Sequence, residues 1–78
     1  MKEGSLIVFE QHTKGYALTE KQASLFEQGS VWITPGTFGL ICSLQEADGG
    51  MMMLAEVLIG NSVVFDIDLS TTEYCTLD

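Results

Sequence analysis

Hydrophobic and polar residues alternate with a period of two along most of this chain, the pattern of half-buried β-strands. Ser5 to Glu10 (SLIVFE) is β-branched and aromatic and reads as a first strand. Ser30 to Thr34 (SVWIT) reads as a second, with Trp32 assigned to the core. From Thr37 to Gln45, Phe38, Leu40, Cys42 and Leu44 face one way, and Ile41 breaks the pattern. Met51 to Ile59 is apolar on both faces except at Glu56 and so reads as a central strand. From Ser62 to Ser70, Val63, Phe65, Ile67 and Leu69 point inward, Asp66 and Asp68 point outward, and Val64 is the exception. The polar tail from Thr71 to Asp78 reads as frayed or as a short edge strand.

Three turn signals separate these runs. Pro35-Gly36 suits a type II turn, because proline presets φ and glycine accepts the positive φ that follows. Ala47-Asp48-Gly49-Gly50 and Gly60-Asn61 read as hairpin turns. One segment carries helix signals instead. Thr19 suits an N-cap, Gln22 completes a capping box, Glu20 complements the dipole and Leu18 can staple onto Ala23. Ala23, Leu25 and Phe26 form a short apolar stripe, and Gly29 suits the position after the helix. Gln11 to Gly15 reads as a polar loop. The expected fold is therefore α+β in the order β-α-β-β-β-β. It is an antiparallel meander of four to five strands with one short helix on one face, and closure into a small barrel is the competing architecture. Residues 1–78 form a single small acidic domain, too short to bury a large core.

Charge narrows the partners. The formal net charge is −8, the three lysines (Lys2, Lys14, Lys21) all lie in the first 21 residues, and there is no arginine. Eight carboxylates follow Lys21 with no basic residue among them. Direct binding to nucleic acid or to an anionic membrane relies on lysine and arginine, so both are excluded as expectations. A basic protein surface, such as that of a nucleic-acid-binding protein, fits better. The apolar run Leu6 to Phe9 is too short for a signal peptide, and Met51 to Ile59 is far shorter than the about 20 apolar residues of a membrane-spanning helix. The expected location is cytoplasmic, with Cys42 buried on an apolar strand face and Cys42 and Cys75 both reduced.

Few residues suggest chemistry. Asp66 and Asp68, at i and i+2 on a strand, share a face at about 6.6 to 7 Å, close to the spacing of successive phosphates on a nucleic-acid strand. Glu56 lies on the neighbouring strand, and Glu46 and Asp48 mark the adjacent turn. These five form the candidate partner-binding acidic face. A divalent metal held by Glu56, Asp66 and Asp68 is a weaker reading, because calcium wants six to eight oxygen ligands, usually from a loop. His12 is alone in a polar loop and lacks a zinc spacing. The glycines lack a phosphate-loop pattern. Met51-Met52-Met53 suits either core filling or an adaptable contact. No catalytic residues and no cofactor are expected.

The expectation is a non-enzymatic acidic binding or inhibitor protein whose carboxylates stand in for phosphates on a basic surface. Small acidic anti-restriction and anti-CRISPR proteins of phages and mobile elements act in this DNA-mimic manner as a class. The alternative is a structural module that homo-oligomerises through its β-sheet.

Overall fold

In the computed structural model the described residues are 1–22 and 25–77, with the side chains of residues 18–28 left aside. The described chain is nearly all antiparallel sheet. Seven strands follow in the order β1 (Leu6–Phe9), β2 (Thr13–Gln22), β3 (Leu25–Ile33), β4 (Phe38–Ala47), β5 (Met52–Ile59), β6 (Ser62–Asp68) and β7 (Tyr74–Thr76). A single 3₁₀ turn, Asp48–Gly50, joins β4 to β5. The strands lie side by side as β3-β2-β6-β5-β4-β1-β7 and curl into a half-barrel.

The expected α+β fold is overturned. Thr19 and Gln22 lie in β2 and Gly29 lies in β3; only Ala23, the proposed staple partner, falls outside the described residues. Strands β2 and β3 pair continuously from Thr13↔Ile33 to Glu20↔Phe26, with Gly29 opposite Ala17. The helix signals were local caps around a stripe of three apolar residues, and an isolated helix of about three turns is marginal in water. The hairpin satisfies the same backbone groups and continues the strand pattern of Val31 to Ile33.

The meander is also shorter than expected. Strands β4, β5 and β6 run as successive hairpins, but β3 pairs with β2 at the far side of the sheet and β4 pairs with β1. The chain crosses between the two halves at residues 10–12 and again at the Thr34 to Thr37 turn. The second crossing is the expected type II turn. Thr37 N–H donates to Thr34 O (3.3 Å), and Gly36 takes φ +88°. Gly36 N–H also donates to Phe9 O (2.7 Å), which ties this corner to the end of β1.

The Gly60-Asn61 hairpin lies where expected, with Ile59 opposite Ser62. Its only positive φ is at Gly60 (+62°), the mark of a type II′ turn. Strand β5 is central, as the apolar run Met51 to Ile59 implied, and the tail supplies the edge strand β7.

The concave side holds the core: Ile7, Phe9, Ile33, Ile41, Ala55, Val57, Val64, Ile67 and Leu69. Two glycines let the layers approach. A Cβ on Gly39 would collide with Val57 and come within 3.3 Å of Phe9, and a Cβ on Gly15 would collide with Val64. Buried Ser5 and Thr13 are both satisfied: Lys2 N–H donates to Ser5 Oγ (3.1 Å), and Thr13 Oγ1 donates to Gln11 O (3.2 Å).

Two β-bulges meet at one residue of β5 and explain the differences in β4 and β6. On one side Ile41 pairs with Val57 and Ser43 with Glu56, so Cys42 is extra. On the other side Val57 pairs with Val64 and Ala55 with Ile67, so Phe65 and Asp66 together face Glu56. A bulge adds one residue and shifts all later side chains to the other face. Gly39 and Ile41 are therefore buried while Phe38, Leu40 and Cys42 are exposed, the reverse of the face inferred from alternation. Leu44, beyond the bulge, packs against the core as expected. Ile67 in β6 and Leu69 just after it are buried as inferred, but Val64 replaces Val63 and Phe65 as the inward residue. Trp32, read as core, is 66% exposed.

Candidate functional site

The five carboxylates do not form one face. Register places Glu56 opposite Ser43 on β4 and opposite the Phe65-Asp66 bulge on β6. Glu56 and Asp66 are both exposed and stand on neighbouring strands at the bulge. Asp66 sits at φ +59°, a left-handed conformation that aspartate tolerates better than most residues. This conformation, with the extra residue of the bulge, breaks the even i, i+2 spacing from Asp66 to Asp68.

Asp68, opposite Leu54, has a structural task. Its Oδ1 accepts from Ser70 Oγ (2.6 Å), from the Ser70 backbone N–H (3.0 Å) and from the Met53 backbone N–H (3.4 Å). Its backbone carbonyl accepts from Thr72 Oγ1 (2.7 Å). The Asp68 side chain thus closes the turn after β6, and these bonds, the Ser70 hydroxyl first among them, hold its carboxyl below the usual aspartate value.

Glu46 pairs with Met53, on the side of the sheet opposite to Glu56 and near the rim. Asp48 stands at the 3₁₀ turn with φ +53°. Neither joins the Glu56–Asp66 pair. Among the described residues, no three His, Cys, Asp or Glu side chains come together in a way that could hold a metal ion. His12 is exposed in the β1–β2 connection. Both cysteines are free and exposed, which corrects the buried reading of Cys42.

The convex face also carries apolar residues, and of these Phe38, Leu40 and Val63 are ones that alternation places inside. Leu6 pairs with Leu40, Leu40 with Leu58, and Leu58 with Val63, giving one aliphatic row across β1, β4, β5 and β6. Val8 pairs with Phe38 in the next row. Phe38 is 60% exposed, Leu6 41% and Leu40 38%. The signal that could have found this row was present in the alternation. Ile41 and Val64, the two residues that broke the pattern, are the buried ones.

On the other half of the sheet, Lys14 reaches over the Tyr16 ring (5.6 Å to its centroid), and Trp32 lies opposite Lys14. At the mouth of the concave side lies a cleft of about 370 Å³, lined by Ala17, Val31, Ile33, Ile59 and Val64 with Thr34, Thr37 and Ser62 at its edge. Among the described residues, none that lines the cleft is titratable. No helix among the described residues is long and apolar enough to cross a membrane. Comparison of the chain with protein-family models, with curated proteins and with solved structures finds no match.

Proposed function

We propose that this protein is a non-catalytic binding module that docks on a basic protein surface through the acidic part of its convex face. The observation that carries this reading is the register that sets Glu56 and Asp66, both exposed, on neighbouring strands, in a chain with no lysine or arginine after Lys21. Charge-assisted bonds to a partner's lysines and arginines would replace hydration there, and the −8 net charge would speed encounter at low salt. Asp68 is already engaged within its own turn and contributes field rather than contacts. Nucleic-acid-binding surfaces are one source of such basic patches, and competition by DNA or RNA would mark them.

Self-association is the second reading. It would have to use something other than the edge of β5, whose two sides are already paired with β4 and β6. The charge of each copy also opposes it.

The test is capture of partners from a native lysate at low and high salt, using the wild type and the Glu56→Gln, Asp66→Asn double variant. A basic partner is expected whose retention falls with salt and falls again in the double variant. Capture indifferent to both salt and variant would refute the electrostatic reading.

A further inference from the structure

We propose that the aliphatic row Leu6, Leu40, Leu58 and Val63, with Phe38 beside it, forms the apolar centre of the same docking surface. The inference rests on the acidic reading above and adds the partner's second property, an apolar patch bordered by lysine or arginine.

Three observations support it. First, the row is continuous in register across four neighbouring strands, a width of about 14 Å from three interstrand steps of roughly 4.8 Å. Exposed apolar side chains scattered singly need no explanation, but a contiguous set on one face marks an interaction surface. Second, the acidic pair adjoins it. Glu56 is two residues along β5 from Leu58, about 7 Å away, and on the same face. An apolar centre with a charged rim is the general anatomy of a protein interface. Third, charge selects the occupant. A second copy would bring another −8 and its own Glu56 and Asp66 against the first, with three lysines in each chain, Lys2, Lys14 and Lys21, to offset eleven carboxylates. A partner with leucine-like contacts at its centre and cations at its edge satisfies both rows together. The double bulge at Glu56 is what sets the two rows on one face.

The test uses two cyclic β-hairpin peptides of equal length and charge. One presents two leucines flanked by two lysines on one face; the other has serines for the leucines. Binding to the full chain is measured by titration calorimetry at low and high salt, with amide chemical-shift mapping. The leucine peptide is expected to bind at least tenfold more tightly, to keep part of its affinity at high salt, and to shift the amides of β1, β4 and β5. Phe38→Ser and Leu6→Thr should erase the difference between peptides, while Glu56→Gln with Asp66→Asn should weaken both. The mapping on the wild type decides the matter even if a variant is destabilised. Equal affinity for the two peptides would overturn the apolar centre and leave the acidic reading standing. No binding of either peptide would count against the acidic reading itself. A wild-type dimer at high salt whose contact maps to Leu6, Phe38 and Leu40 would overturn the choice of partner, because the face would then be covered by a second copy.

Discussion

Replacing Gly39 with alanine tests how closely β4 lies over the core. The new methyl would collide with Val57 Cγ1, sit 3.3 Å from Phe9 Cε2 and sit 3.5 Å from Ile59 Cγ1. Val57 and Phe9 are fully buried, so neither can swing into solvent. Forcing a methyl into such a site costs about 1–3 kcal/mol. The whole domain has roughly 4–12 kcal/mol to lose, at about 0.05–0.15 kcal/mol per residue. A loss of about 2 kcal/mol would lower Tm by about 8–16 °C in a domain of this size. Urea unfolding followed by circular dichroism should show a lower midpoint with an unchanged slope. The decisive measurement is the cycle with Val57→Ala. That change alone costs about 2 kcal/mol for two buried methyls and the space they leave. In the double variant the alanine methyl at position 39 occupies part of that space, so the two costs should fall short of their sum by about 1 kcal/mol or more. Gly36→Ala is the control, because Gly36 has nothing within 4 Å and its cost of about 1–2 kcal/mol comes from φ +88° alone. Strict additivity of Gly39→Ala with Val57→Ala, or a Gly39→Ala protein as stable as the wild type, would refute the close approach of β4 to β5.

Two further outcomes follow from side-chain positions. The Asp68 carboxyl is lowered chiefly by the Ser70 hydroxyl, so its contribution to stability is present above the ordinary aspartate value and is lost as pH falls through the lower folded one. Asp68→Asn should flatten the acid side of the Tm–pH curve, and Ser70→Ala should move the Asp68 carboxyl resonance titration upward; an unmoved titration would contradict the hydrogen bond. Both thiols are exposed, so Cys42 and Cys75 should each react with a thiol reagent without denaturant. Protection of Cys42 before unfolding would show that β4 faces the other way.

Much of the strand content could be read from the sequence. Leu6–Phe9, the central β5, the Pro35-Gly36 turn, the Gly60-Asn61 hairpin and the edge strand of the tail all lie where alternation and turn chemistry put them. Local reasoning failed where pairing partners decide. Thr19 to Gln22 carries a helix cap, yet its backbone is claimed by β3, a partner that no short window reveals. Phe38 and Leu40 looked inward because a period of two assumes an unbroken strand, and the extra residue at Cys42 reverses it. The candidate site suffered for the same reason. Asp66 and Asp68 were read as an evenly spaced pair, but the bulge turned one outward beside Glu56 and left the other to close a turn. The alternation contained the correction in the form of Ile41 and Val64, each a misfit on a strand next to β5.

The meeting of the two bulges also bears on how this face tolerates change in chain length. Deleting Cys42 would remove only the extra residue: Ile41 would still pair with Val57 and Ser43 with Glu56, and Phe38 and Leu40 would keep their outward sides. The aliphatic row would stay outside, and Gly39 and Ile41 would keep the core side of β4. A deletion between Phe38 and Ile41, where β4 carries no extra residue, would instead turn over the strand ahead of it. The convex face therefore absorbs the loss of one residue at the bulge beside Glu56, and its composition is sensitive to residue count in the regular part of β4.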